Sequence, residues 1–423
     1  MNQPASPTDV LKRCYAAAIE AAQPRTALRA PLRAGVLGAA PCWIIAVGKA
    51  SHGMAGAIVD WLAENGREPA GGIIVSGDAL VPAHPTLRAI VGDHPIPGER
   101  SAHAAIAIAE TIDRIPSGAE VHVAISGGAS ALMAGPLQSL TMTDVTGTFE
   151  LLLSSGLDIH ETNAVRKRVT CWSAGRLALQ LAGRTLRVWV ISDVIGDDLG
   201  SIASGPCSGD SWTSDVVRAL LAKRGLLAAL PNSVQLAMTR ETPKPTDPWL
   251  AAIAPRIVAT NGMALAAATR AAESLGVPAT RMPTPLRGEA ARMGQEIAVA
   301  MQTRGGAPEI LMWGGETTVT IADGGGAGGR SQELALAAAQ QLQGKQGVLL
   351  AAGTDGRDGP TDAAGALIDG GTWHRIQANG RDPAADLSRH DAYPALDAAG
   401  ALIRTGPSGT NVMDVAFAAI GWR

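Results

Sequence analysis

Short apolar runs alternate along this chain with longer stretches whose apolar residues recur every three or four positions. Cys42–Val47 (CWIIAV), Gly71–Ser76, Ala89–Gly92, Glu120–Ser126 and Leu186–Ser192 (LRVWVIS) are short and largely apolar on both faces, as buried strands are. Ser51–Ala63 and Ser101–Arg114 lie between them with helical spacing. The N-terminal stretch also reads as a helix, with Thr8 as cap and Leu11, Cys14, Tyr15, Ala18 and Ile19 on one face. Glu241–Pro248 (ETPKPTDP) then reads as a linker or exposed loop. Beyond it the spacing predicts strands over Arg256–Thr260, Glu309–Trp313, Thr317–Ile321 and Gly347–Ala351. Helices are predicted over Gly262–Leu275, Leu286–Gln302 and Ser331–Leu342. The fold class is therefore α/β, with a parallel sheet covered by helices on both faces. The expected division is residues 1–242 and 249–423, the second domain carrying the loops GGRSQE and GTDGRDG. In such sheets ligands bind outside the carboxyl ends of the strands.

Composition narrows the picture. A chain of 423 residues is long enough for two domains. Its 35 Lys and Arg against 38 Asp and Glu leave a net charge of −3, which argues against a nucleic-acid surface. With 9 Trp, 2 Tyr and 2 Phe there is little to stack bases on. Cys14, Cys42, Cys171 and Cys207 are scattered, so neither a zinc ribbon nor a disulfide frame is expected. Met1–Pro7 shows no secretory pattern, and Ala34–Gly48 is too short to span a bilayer, so a cytoplasmic protein is the expectation. Glycine, with 50 residues, is in excess, and it gathers where strands end.

Those strand ends carry the chemistry. Ile125-Ser126-Gly127-Gly128-Ala129-Ser130 leaves a strand and enters a helix, where successive N–H groups form an anion nest or merely a tight turn. Val47-Gly48-Lys49-Ala50-Ser51 puts a lysine at another such junction; it lacks the fixed places of a P-loop, and an exposed surface lysine is the plain alternative. Asp323–Arg330 satisfies G-x-G-x-x-G only because it is dense in glycine, and no acid follows about 20 residues on. Arg330 reads as a fork for phosphate or carboxylate above a flexible loop, or the tract is a hairpin tip. Asp193, Asp197 and Asp198, then Glu316, then Asp355 and Asp358, follow three strands. Each alone is compatible with a turn or helix cap; together they suit Mg²⁺ bridging phosphates and a base for a hydroxyl. His94 and His160 lack zinc-site spacing and read as turn-stabilising residues, and Ser126 lacks a nucleophile elbow.

Read together, these segments resemble the type 2 glycerate kinases, the glycerate 2-kinase family, some of whose members also carry a hydroxypyruvate reductase label. The stretches that carry the resemblance are VGKAS from Val47, GDHPIPGERS from Gly92, ISGGASALM from Ile125 and TNAVRKRVT from Thr162. ISDVIGDDLGSIASGP from Ile191, GGETTV from Gly314, GGRSQELAL from Gly328, AGTDGRDGPTDAAGA from Ala352 and TGPSGTNVMD from Thr405 complete the series in family order. The resemblance implies a Rossmann-like N-terminal domain, a smaller C-terminal α/β domain and an active site in the cleft between them. It implies ATP-dependent phosphorylation of D-glycerate at its 2-hydroxyl, with ATP and Mg²⁺ as cofactors.

Carried over residue by residue, it makes Lys49, Arg330 and Asp193 catalytic. Ser126, Gly127, Gly128, Ser130, Asn163, Arg166, Gly329 and Asp355 would bind substrate or phosphate, and Asp197 and Glu316 a metal. How the carboxylates divide between base and metal stays open. The chain departs from the family where it has Ser173 and Ala327 in place of usual lysines. Other readings are an NAD(P)H-dependent hydroxypyruvate reductase, a kinase of another small hydroxy acid, or a binding protein without catalysis. The expected partners are glycerate and ATP, with no nucleic acid or membrane; a homo-oligomer is left open.

Overall fold

The structure is a computed structural model that describes residues 6–35, 37–79, 81–304, 306–321 and 324–422. The chain divides into two compact units, a first of Pro24–Val258 and a second of Met1–Gln23 with Ala259–Arg423.

The first unit is built on strands β1 (Cys42–Val47), β2 (Gly71–Ser76), β3 (Leu87–Val91), β4 (Glu120–Ile125) and β5 (Thr185–Ile191), and β6 (Arg256–Ala259) ends at its border. They form one sheet in the order β3-β2-β1-β4-β5-β6, the order of doubly wound folds. The pairs β2–β3, β1–β2, β1–β4 and β4–β5 are all parallel. Every residue of β2 and β4 is buried, because helices cover both faces. Even Glu120 and His122 are buried; Trp189 Nε1 donates to His122 Nδ1 at 3.0 Å, so His122 Nε2 carries the proton and donates to Glu120 at 3.0 Å. Strand order reverses between β1 and β4, where Val47 pairs with Ile125. The loops that leave these two strands therefore emerge side by side.

The second unit holds β7 (Ala279–Arg281), β8 (Glu309–Gly315), β9 (Val348–Gly353), β10 (Gly365–Asp369), β11 (Leu402–Ile403) and β12 (Asp414–Ile420), in the order β11-β10-β9-β12-β8-β7. β12 lies antiparallel between β8 and β9, pairing Asp414 with both Gly315 and Gly353. The carboxyl ends of β8 and β9 and the start of β12 thus share one edge of the sheet. This sheet is mixed rather than parallel: only β7–β8 is parallel among its five pairs.

Several expectations change. The N-terminal helix, Pro7–Ala22, is capped by Ser6 rather than Thr8, and it joins the second unit. Its buried stripe of Leu11, Cys14, Tyr15 and Ala18 packs there, and Tyr15 Oη donates to Gly353 O at 2.6 Å. The boundary falls after Val258 rather than at 242–249. The proline-rich stretch is no linker, because Thr242 is buried and its hydroxyl donates to Asp210 Oδ2 at 2.8 Å, while Asp210 N donates to Pro243 O at 2.8 Å. Thr317–Ile321 makes only an isolated bridge, Glu289 to Thr318, instead of a strand. The glycine tract is described from Gly324; Asp323 lies outside the described residues.

Candidate functional site

At the switch point of the first sheet, the loops after β1 and β4 are stitched together. Lys49 N donates to Gly127 O at 2.9 Å, and Ala50 N donates to Ser126 Oγ at 3.0 Å. Ser126 is fully buried, so its hydroxyl, expected to face a ligand, ties the two loops instead. The next loop in the sheet, after β5, brings in Asp193: a Cβ at Gly127 would collide with its Oδ2, so only glycine admits the carboxylate there. Gly128 has φ +83°, and a Cβ on it would fall 3.1 Å from His94 Cδ2 and 3.6 Å from Lys49 Cγ. Lys49, Gly127, Gly128, Asp193 and His94 are therefore close neighbours.

His94, read from sequence as a turn residue, belongs to this group. Its imidazole is pushed down to about 4 by partial burial and by the charges of Lys49 and Arg166. The residue keeps an exposed surface, so the two neighbouring cations are the more telling cause. Arg166 itself is held down to about 10 by desolvation. It stacks over the Phe149 ring at 4.4 Å, and its buried Nε has no hydrogen-bond partner among the described residues. Two cations and a neutral imidazole around a glycine turn make a place for an anion.

Ser130 and Asn163 are linked through one residue that the sequence did not single out. Ser130 Oγ lies 2.8 Å from Ser204 Oγ, and Ser204 donates to Asn163 Oδ1 at 2.9 Å. Asn163 Nδ2 in turn donates to Ser201 O at 2.8 Å. The segment they brace carries left-handed non-glycine residues at Asp197, Ala203 and Ser204, with φ of 56°, 54° and 58°. Such strain persists only where surrounding bonds hold it. Asp197 belongs to this braced loop, and Ser173 is buried with its hydroxyl 2.6 Å from that of Thr170.

The second unit gathers its own set at the shared edge of β8, β9 and β12. Arg330, at the start of the helix Arg330–Gln341, grips Asp414 through Nε at 2.5 Å and Nη2 at 3.1 Å, and pairs with Glu316 through Nη1. The guanidinium expected to clasp substrate is thus engaged by two carboxylates, which hold it strongly protonated. Asp414 ends the TGPSGTNVMD segment 84 positions beyond Arg330, and the sheet register brings the two together. A Cβ on Gly353 would fall 3.0 Å from Asp355 Oδ1 and 3.4 Å from Asp414 Oδ1, which places Asp355 in the same group.

The glycine tract is anchored rather than a free tip. Gly326 N donates to Arg389 O at 2.8 Å, Ala327 N to Asp391 Oδ1 at 2.8 Å, and Tyr393 N to Ala327 O at 2.9 Å. Gly329 must be glycine because a Cβ would collide with Asp358. Asp358 accepts from Ser331 N at 3.1 Å and Gln332 N at 2.8 Å, capping the helix that Arg330 begins.

Burial and the nearby Asp414 charge raise the Asp358 carboxyl to about 7. Its folded value lies above the ordinary 3.8, so between about pH 4 and 7 folding takes up a proton and stability falls as pH rises. The slope from this one group is at most about 1.4 kcal/mol per pH unit. Urea unfolding across that window is expected to show the decline, and Asp358→Asn to flatten it.

The donor chemistry fits a hard cation. Among the described residues no three His, Cys, Asp or Glu side chains converge as a ready metal cage. Magnesium at phosphoryl-transfer sites needs only one or two carboxylates, the phosphates and water supplying the rest. Asp193 offers such an oxygen in the first unit; Asp355 and Asp414 do so in the second. Asp197 lies in the braced loop, while Glu316 shares the Arg330 guanidinium with Asp414.

The fold and its strand-end loops define an α/β protein that concentrates cations, glycine turns and carboxylates for small anionic ligands. Residues 10–239 match the domain of unknown function DUF4147, and residues 309–414 match the MOFRL family. The chain is 37% identical over 388 residues to glycerate 2-kinase of Pyrococcus horikoshii, covering 89% of this chain and 87% of that protein. A protein of Agrobacterium vitis provisionally named hydroxypyruvate reductase is 36% identical over 427 residues, covering 98% and 95%. The crystal structure of glycerate kinase from Thermotoga maritima is similar with a TM-score of 0.85 and 34% identity, over 97% of this chain and 99% of that one. The chain belongs to the glycerate 2-kinase family.

Proposed function

We propose that this protein is an ATP-dependent kinase that phosphorylates the 2-hydroxyl of D-glycerate to give 2-phosphoglycerate. The observation that carries the reading is the cluster of Lys49, Gly127, Gly128, His94 and Asp193 at the switch point of a doubly wound sheet. Phosphoryl transfer is mainly positioning and charge stabilisation, which cations, oriented N–H groups and carboxylates supply.

In this reading Lys49 and Arg166 neutralise the substrate carboxylate and the developing phosphoryl charge. The Gly127-Gly128 turn orients phosphate oxygens, with Ser130 and Asn163 holding the turn. Asp193 accepts the hydroxyl proton or takes a metal ligand's place. Arg330 fixes Asp414 and Glu316 in place, so that the second unit holds oriented carboxylates together with Asp355. Mg²⁺, when bound, would offset phosphate charge; within the first unit Asp193 is the residue suited to hold it, and within the second Asp355 and Asp414 are.

The reductase alternative loses support at the glycine tract. A dinucleotide fingerprint leaves the following helix N-terminus open to pyrophosphate. Here Ser331 N and Gln332 N already donate to Asp358. Purified protein with ATP, Mg²⁺ and D-glycerate is expected to release ADP, and with NADPH and hydroxypyruvate to leave absorbance at 340 nm unchanged. NADPH oxidation without ADP release would reverse the assignment, and binding of glycerate without turnover would reduce the protein to a binder.

A further inference from the structure

The first unit contains a cavity of about 200 Å³ that shares no lining residue with the switch-point cluster. Its walls include Leu137, Gln138, Arg168, Arg176, Arg240 and Glu241. The charges around it do not balance. Lys167 and Arg168, both buried, share the single buried carboxylate of Asp210, each at 3.1 Å. Arg168 spends its remaining bonds on neutral carbonyls, Ala164 O at 2.8 Å and Trp212 O at 3.0 Å. Its buried Nε–H meets no acceptor among the described residues.

The other two arginines add to the excess. Arg176 is half-buried and directs Nη1 at the carbonyls of Lys167, Thr170 and Ser173, with no carboxylate in ion-pair range among the described residues. Among the described residues Arg240 reaches only Gln138 O, at 3.4 Å. Glu241, the one acid in the wall, is committed to Lys244 at 2.6 Å and to Ser214 N at 2.8 Å. Three arginines therefore line the cavity with one acid. Lys167 and Lys244 behind the wall take up the charge of Asp210 and Glu241, and desolvation lowers the proton affinity of Arg176. A partly desolvated arginine without a matching acid is costly unless an anion completes it, and Arg176 is in that position at the cavity wall.

We infer that this cavity is a second anion site, taking a dianionic phosphate, free or as the head of a small phosphate monoester. Guanidinium forks match phosphate oxygens, and the volume admits the group with a few carbons. The inference stands apart from the proposed kinase activity, because none of its residues has a role there. It is tested by isothermal titration calorimetry at low salt with inorganic phosphate, and separately with glycerol 3-phosphate. Lys49→Ala, which removes a switch-point cation, is expected to retain one phosphate or monoester per chain. Arg240→Glu, on the exposed rim, is expected to weaken that binding at least tenfold with an unchanged circular dichroism spectrum, and Arg176→Gln to weaken it further. Whichever of the two compounds binds Lys49→Ala identifies the source of the phosphate. Absence of binding of both in Lys49→Ala, or unchanged affinity in Arg240→Glu, overturns the site.

Discussion

Lys49→Ala is expected to lower kcat/KM for D-glycerate by about 10²–10³-fold, the usual cost of deleting one preorganised charge donor. The side chain is exposed, but its backbone is fixed by Gly127 O and its stem rests beside Gly128. Removing it leaves no buried hole, so Tm and the far-ultraviolet spectrum should stay close to wild type. The loss should therefore appear in steady-state kinetics and not in unfolding. The same substitution releases His94 from a neighbouring cation, so its imidazole should titrate at a higher pH by nuclear magnetic resonance. Wild-type turnover in Lys49→Ala would place the chemistry elsewhere.

Arg330→Ala is expected to cost at least about 10²-fold in kcat/KM and, unlike Lys49→Ala, to lower Tm by several degrees. The difference follows from what each cation touches. Arg330 holds Asp414, which is buried, through two nitrogens and Glu316 through a third, so its deletion leaves carboxylates facing one another. Arg330→Lys should recover little, because an ammonium is a single point charge and cannot fork across two acids. Parallel kinetics and thermal unfolding of both variants check this. If Lys restored activity and stability together, charge alone would matter and the fork geometry would not.

The sequence made the strand-end chemistry legible where the relevant residues are neighbours in the chain. Lys49, the Ser126–Ser130 turn and Asp193 each follow an apolar run, and parallel strands bring such loops to one edge by construction. The second unit was less readable because its sheet is mixed. β12 enters between β8 and β9 from the far end of the chain, and although DVAFAAI is an apolar run of the kind that marks a buried strand, nothing local in it shows which strands it joins. Asp414 therefore stayed unassigned. Side-chain destinations were also hidden: no spacing rule shows that the Ser126 hydroxyl turns to Ala50 N, or that Arg330 is already embraced. The proline-rich stretch misled because proline density reports a stiff extended backbone, not whether Asp210 waits to pair with it.

The central claim is transfer of a phosphoryl group to the 2-hydroxyl of glycerate. Phosphorus magnetic resonance of protein incubated with ATP, Mg²⁺ and D-glycerate separates the two monophosphate products directly. The account predicts 2-phosphoglycerate and ADP in equal amounts. Formation of 3-phosphoglycerate, or no new phosphate ester from an enzyme of intact fold, would contradict it.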